Sequence, residues 1–242
     1  MMWRAFRLLL ICMLPAVVMI GCADPKNTAT IRYRVIVTAM VDGEAVEGSS
    51  VMEMTYTRIE RSLLGTGGSA SLKGEAVILD LKGRGTVYVL PIQLDRNGSL
   101  SEVYQGSVLA SFGVHSSIGS LEPDDLQRLR AAQGRVPLFI FTKKYGVPLF
   151  VAFHDESNPR SIYQVDPDHL DAAFRSGVHL IGIDLEVTDA PITHVLVQRL
   201  PWLRYPLAID WEREPAGSRR PMKEWPLGFK ITAEKFFGNG SR

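Results

Sequence analysis

The sequence predicts an α+β fold dominated by β-strands, with a largely antiparallel sheet or sandwich and two short helices. Apolar residues alternate with polar ones in several segments, which is the period of a half-buried strand. Turn-forming residues separate these segments, and only two stretches carry helix boundary signals. The chain has 242 residues, of which 46% are hydrophobic. We therefore expect a single globular β-rich domain over residues 31–242.

The first predicted strand spans residues 31–41, where polar residues alternate with one apolar face. That face carries Ile31, Tyr33, Val35, Val37, Ala39 and Val41. A second strand with the same alternation spans residues 51–61. The sequence DGEAVEGSS between them is rich in turn residues, so the two segments are predicted to form a hairpin.

Shorter apolar segments predict the remaining strands. They are residues 74–81, 86–94, 136–141, 147–153, 178–187 and 192–200. Residues 136–141 and 147–153 are the most apolar, and each segment begins with the sequence VPLF. Continuous apolar runs are typical of strands covered on both faces. We therefore predict that these two strands form a hairpin at the centre of the core.

Helix boundary signals occur at two places. Ser120 is placed to cap a helix over residues 121–133, and acidic residues occupy its first turn. Asp166 followed by Pro167 is the pattern of a capped helix start and predicts a short helix that ends near Gly177. A further short helix or strand is predicted around 229–237.

The N-terminus has the three parts of a secretory signal peptide. Arg4 and Arg7 give it a basic start, residues 8–20 form an apolar run interrupted by Pro15, and small residues follow. The thirteen residues of the run are fewer than the roughly 20 that a membrane-spanning helix needs. We therefore expect a segment that is removed on export.

The end of this segment, Met19-Ile20-Gly21-Cys22, resembles the lipobox of bacterial lipoproteins, in which a small residue precedes an invariant cysteine. The resemblance implies cleavage between Gly21 and Cys22 and acylation of Cys22, which would become the first residue of the mature chain. Two or more acyl chains on one residue give stable membrane anchoring. An ordinary signal peptide followed by an incidental cysteine is the alternative.

The same resemblance implies a cell-envelope protein that is anchored by its lipid and faces the periplasm. Ala23 after the cysteine favours the outer membrane. Residues 1–21 would then be the signal peptide, and the small, polar residues 22–30 would be a tether.

Charge and cysteine content narrow the expected partners. The formal net charge is +1, whereas a dedicated nucleic-acid binder is clearly basic. Cys12 lies in the segment to be removed and Cys22 would be lipidated, so no cysteine pair is left for a disulfide. We expect no cofactor, no metal and no nucleic-acid partner.

Two clusters of histidine and carboxylate side chains are the candidates for catalysis. His154 and Asp155 follow a predicted buried strand, and Asp166 and Asp168 open the second helix. Such groups can form an acid/base pair or bind a metal, but their spacing matches no zinc signature. A polar turn and helix capping explain the same residues, and we favour that interpretation.

Three further features have structural explanations. Asp184 and Glu186 share the polar face of a predicted strand, opposite the face that carries Ile181, so exposure to solvent explains them. His179 is in phase with the apolar face, which favours a core or edge histidine. The glycine-rich residues 65–70 lack the ending of a phosphate-binding loop and are predicted to join two strands.

Aromatic and basic residues are concentrated near the C-terminus. Trp202, Trp211 and Trp225 are three of the four tryptophans in the chain, and Arg204 lies among them. Interleaved aromatic rings and cations can stack on sugars or contact lipid headgroups. Packing of the tryptophans onto the sheet is the favoured interpretation. These four residues are nevertheless the best candidates for a partner-binding surface.

Together these features predict a lipid-anchored envelope protein with a non-enzymatic binding or structural module, whose partner is a protein or a glycan. Two alternatives stay open. One is a hydrolase of envelope polymers that uses His154 and Asp155 with Asp166 or Asp168, and it requires these side chains to converge in one cleft. The other is a carrier of an apolar ligand, which requires a lined cavity.

Overall fold

The computed structural model describes residues 25–61, 65–94, 99–140, 147–204, 227 and 231–241. The predicted signal peptide with Gly21 and Cys22 lies outside these residues, as do Trp211 and Trp225. The strands of the described part are β1 (Thr28–Val41), β2 (Glu44–Arg61), β3 (Gly65–Lys73), β4 (Val77–Asp80), β5 (Thr86–Leu90), β6 (Ile92–Leu94), β7 (Leu100–Glu102), β8 (Arg135–Pro137), β9 (Leu149–Phe153), β10 (Ile162–Gln164) and β11 (Val178–Val187). Its α-helices are α1 (Tyr104–Ser111), α2 (Pro123–Arg130), α3 (Leu170–Phe174) and α4 (Leu196–Arg199).

Strands β1 and β2 form the long hairpin that the alternating pattern predicts. They pair antiparallel from Thr28 opposite Thr57 to Val41 opposite Glu44. Asp42 and Gly43 connect them with φ angles of 51° and 86°, and positive φ at both central positions is the geometry of a two-residue type I′ turn. The predicted tether over 22–30 is too long, because β1 already begins at Thr28 and pairs there.

The hairpin is the centre of a five-stranded antiparallel sheet with the order β3-β2-β1-β11-β8. Strand β3 includes the glycine-rich residues 65–70, so the prediction of a loop there is wrong. Pairing with β2 explains the difference, since Thr57 to Arg61 supply the partners of Gly65 to Ser69. Gly68 also lies close to the backbone of Ile118, where a larger residue would clash.

A second antiparallel sheet has the order β10-β9-β5-β4, and β6 and β7 form a small ribbon of their own. The fold is thus α+β and β-dominated, as predicted. The two VPLF segments do not form the predicted hairpin, because β8 belongs to the first sheet and β9 to the second. Strand β9 pairs with β5 and β10 instead, and its burial on both faces is what its continuous apolar run predicts.

The second sheet lies between two hydrophobic cores. Val87 and Val89 of β5 face the first sheet and its helices, whereas Tyr88 and Leu90 face the second core, which is formed with α4 and the residues around Phe236. The same alternation holds along β9. The strands of this sheet are therefore covered on both faces. The first sheet packs one face on the first core, and its other face also buries Ile36 and Val51, which are each 5% exposed.

The outer face of the first sheet carries cross-strand ion pairs. Arg32 on β1 bonds Glu53 on β2 at 2.7 Å, and Arg34 bonds Glu186 on β11 at 3.1 Å. Asp184 accepts hydrogen bonds from Arg135 on the edge strand β8, the shortest at 2.7 Å. The prediction that Asp184 and Glu186 occupy the solvent-facing side of a strand is confirmed.

The helices differ from the prediction in their boundaries and number. Helix α2 begins at Pro123 and not directly after Ser120, because Glu122 and Asp125 form its capping box. The second predicted helix is divided into a 3-10 turn, Pro167–His169, and α3. Helix α1 was not predicted, and the strand predicted over 192–200 is wrong, because α4 occupies Leu196–Arg199.

A buried carboxylate explains why a helix replaces that strand. Glu75, between β3 and β4, is only 2% exposed. Its Oε1 accepts hydrogen bonds from the backbone N–H groups of Val195 at 2.6 Å and Leu196 at 3.0 Å, at the start of α4. Burial raises the pKa of this carboxyl, while the two backbone hydrogen bonds and His194 oppose the shift. Glu75 thus fixes the chain around α4 to the sheets.

We expect Glu75→Ala to lower the free energy of unfolding by about 2–3 kcal/mol, because two backbone N–H groups lose their acceptor. Glu75→Gln keeps an acceptor oxygen, so its free energy of unfolding should be closer to that of the wild type than the value for Glu75→Ala. Urea unfolding over a range of pH measures both effects.

The raised pKa of Glu75 makes the free energy of unfolding depend on pH. The folded state holds the Glu75 proton more tightly than the unfolded state, so wild-type stability relative to Glu75→Gln should fall as the pH rises above the ordinary glutamate range of about 4.3. If the difference in free energy of unfolding between wild type and Glu75→Gln did not change with pH, that result would contradict the raised pKa.

Candidate functional site

An open groove of about 1050 Å³ lies where β11 of the first sheet approaches β9 and β10 of the second. One wall is the strand β11, and the other is the chain that enters β9 and the chain that leaves β10. The lining residues are Leu94, Ile140, 147–150, 164–168 and 179–183. Exposed apolar side chains are prominent there, since Ile140 is 40% and Ile181 is 53% exposed.

The exposure of Ile181 results from a β-bulge. Thr38 of β1 pairs with Gly182, and the next residue, Ala39, pairs with Leu180, so Ile181 is an extra residue without a partner on β1. The bulge also shifts the alternation of side chains along the strand. His179 therefore lies opposite Met40 and is exposed, and the prediction that it shares the apolar face is wrong.

The charged groups of the groove are acidic. Asp166 caps the 3-10 turn, where its Oδ1 accepts the backbone N–H of Asp168 at 3.0 Å. Asp166 and Asp168 are both exposed, and His179 is the third titratable residue of the lining. The described lining contains no lysine or arginine. The arrangement suits an apolar ligand that carries a cation or hydrogen-bond donors.

The catalytic candidates do not come together in this groove. In the β9–β10 pair Ile162 lies opposite Phe153, so His154 is at one end of the pair and Asp166 is beyond the other. Val165 donates to the carbonyl of Phe150, which continues the same register. Five residues of strand, at about 3.3 Å each, separate the two ends by roughly 16 Å. The single cleft that the hydrolase requires is not formed.

His154 and Asp155 have local partners instead. The His154 ring stacks on Tyr163, with 4.4 Å between the ring centroids. Asp155 accepts hydrogen bonds from the backbone N–H and the hydroxyl of Ser157, and these lower the pKa of its carboxyl. Both residues belong to a polar turn, which is the interpretation favoured from the sequence.

Trp202 packs against the second core. Its ring makes edge contacts with Phe153 and Phe236, with centroids 5.8 Å and 5.7 Å apart, and its Nε1 donates to the carbonyl of Glu156 at 2.9 Å. Arg199 pairs with the Glu156 carboxylate, with Nε 2.9 Å from Oε2. Arg204 is exposed at the end of the same segment. Trp202 therefore packs residues 201–204 against the second core.

The chain was also compared with known proteins. No family model, curated protein or solved structure matches it. Within the described ranges, no cluster of three histidine, cysteine or acidic side chains is arranged to hold a metal ion. In the same ranges, no helix is both long and apolar enough to cross a membrane.

Sequence reasoning missed the residues that make the groove. Ile140 and Ile181 belong to apolar segments that the pattern assigns to a core. The bulge in β11 exposes Ile181, and the separation of β8 from β9 removes the hairpin in which Ile140 was predicted to be buried. Both features depend on pairing between distant strands. The acidic pair Asp166 and Asp168 was identified, although with the wrong neighbours.

We expect Trp202→Ala to lower the free energy of unfolding by about 2–3 kcal/mol, since a half-buried indole loses its ring contacts and one hydrogen bond. Trp202→Phe keeps a ring and should cost about 1 kcal/mol. Arg204→Ala is the control and should stay within about 0.5 kcal/mol of wild type. Denaturant unfolding measures all three, and an unchanged Trp202→Ala would contradict the packing role.

Proposed function

We propose that the protein is a lipid-anchored binding module of the bacterial cell envelope, held by an acylated Cys22 and facing the periplasm, with the outer membrane favoured. The basic start, the short apolar run and the Gly21-Cys22 pair support the anchor. The groove beside β11 supports the binding role and is its proposed ligand site.

The observation that carries the binding role is the exposed apolar lining of the groove. Ligand sites are concave and mostly apolar, with a few polar groups that orient the ligand. Ile140 and Ile181 are exposed in the lining, Val147 and Leu180 are partly buried, and Asp166 and Asp168 supply the charge. Exposed apolar side chains within a concave site provide the contact area that a bound ligand would cover.

The geometry of the groove and of the β9–β10 pair supports the alternative functions to different degrees. A hydrolase that joins His154 to Asp166 has no support, because the two lie at opposite ends of the β9–β10 pair. An apolar-ligand carrier would use the groove itself and is one form of the proposed binding module. A partner-binding role for Trp202 has less support than the groove, because its ring contacts belong to the core.

The anchor predicts that Cys22→Ser abolishes incorporation of a palmitate analogue in a bacterial host. Cys12→Ser is the matched control, because Cys12 lies in the apolar run and should not be acylated. Labelling followed by gel fluorescence measures both variants. Equal labelling of wild type and Cys22→Ser would reject the anchor.

The groove predicts binding of a neutral apolar reporter such as N-phenyl-1-naphthylamine. Ile181→Ser should weaken that binding about tenfold, which corresponds to about 1.4 kcal/mol of lost apolar contact. Val195→Ser is the matched control, because Val195 is 47% exposed but does not line the groove. Reporter fluorescence measures both, and equal binding by wild type and Ile181→Ser would contradict the groove as ligand site.

A further inference from the structure

The groove is lined by the edge of a strand and not by one face of it. Side chains alternate between the two faces of a strand, so a face would contribute every second residue. Strand β11 contributes five consecutive residues, 179–183, and one of them is Gly182. Its main chain is therefore part of the wall.

Within the part of the chain that the structure describes, that edge of β11 is paired only at its far end. Strand β1 occupies the other edge along the whole of β11. Strand β8 pairs with Asp184 to Glu186, and the N–H of Leu138 bonds the carbonyl of Ile183. Within the described residues no strand pairs with β11 from Val178 to Gly182 on this side. Unpaired strand edges are templates for the addition of another strand.

We propose that the groove binds an extended peptide segment, which adds to this edge of β11 as a further antiparallel or parallel strand. This inference rests on the proposed function and specifies its ligand. Five residues, Val178 to Gly182, at about 3.3 Å each give an edge of roughly 16 Å, enough for a segment of about five residues. Main-chain hydrogen bonds supply affinity in this mode, and alternate side chains supply specificity.

The side chains around the edge define the sequence of the segment. Ile140 and Ile181 are exposed apolar residues of the lining, and an added strand with apolar side chains at alternate positions would turn one apolar face toward them. Asp166 and Asp168 face the same space without a lysine or arginine in the described lining. A segment that alternates β-branched residues with lysine or arginine complements both features. A small apolar molecule would form no main-chain hydrogen bonds with the edge from Val178 to Gly182, which no described strand pairs with on this side.

The test uses synthetic heptapeptides with valine at alternate positions and lysine or glutamate between them. Isothermal calorimetry with the mature chain should show binding of the lysine peptide and at least tenfold weaker binding of the glutamate peptide. A lysine peptide that is methylated on its backbone nitrogens cannot pair as a strand. Its affinity should also be at least tenfold weaker than that of the unmethylated lysine peptide. Equal binding of the methylated peptide would overturn strand addition.

Protein variants locate the charge. Asp166→Asn combined with Asp168→Asn keeps the oxygen that caps the 3-10 turn and should reduce the preference for lysine over glutamate to less than threefold. Asp171→Asn is the control, because Asp171 is exposed on α3 but is not part of the lining. An unchanged preference in the double variant would overturn the assignment of the cation to these two acids.

The apolar reporter separates this inference from the proposed function. Displacement of the reporter by the lysine peptide supports both. If the reporter binds and no peptide binds, the peptide is overturned as the ligand, but the proposed binding function is still supported. Failure of both ligands to bind overturns the groove itself. Sedimentation of the free chain as a dimer that Ile181→Glu converts to a monomer would instead assign the edge to a second copy.

Discussion

Hydrogen bonding of β1 along both of its edges is the constraint on which the rest of the molecule depends. Strand β2 pairs with it from Thr28 to Val41, and β11 pairs with it from Tyr33 onward. Its core face is fully buried at Tyr33, Val35 and Val37, so a shift of register by one residue would turn these side chains to solvent. The position of β11, and with it the groove, follows from this register.

Local pattern was sufficient where one strand face meets one core. The alternation of residues 31–41 predicted β1 and its inward side chains, and turn residues predicted the hairpin with β2. The polar side of β11 was predicted for the same reason. The acidic residues at 166 and 168 were also correctly explained as the start of a helical turn. In each case the signal lies within a few neighbouring residues.

The features that the sequence did not predict depend on pairing between segments that are distant along the chain. Two identical VPLF segments suit any buried strand, and nothing local assigns one to each sheet. The apolar pattern of residues 192–200 predicts a strand. The structure has a helix there, and the buried carboxylate of Glu75 accepts hydrogen bonds from its first backbone N–H groups. The bulge at Ile181 depends on the register with Ala39 and Thr38. The groove exists only because of such long-range pairing, so its residues could be recognised singly but not assembled.

In the proposed lipoprotein, the length of β1 would determine the distance between the lipid on Cys22 and the groove. Cys22 precedes Thr28 by six residues, whereas Ile183 and His179 on the groove wall pair with Val37 and Met40 near the other end of β1. Nine to twelve residues of strand, at about 3.4 Å each, span roughly 30–40 Å, about the thickness of the hydrocarbon core of a bilayer. With a lipid at Cys22 and β1 directed away from the membrane, the groove would open beyond the reach of lipids in the same bilayer. Its ligand would then arrive from the aqueous side.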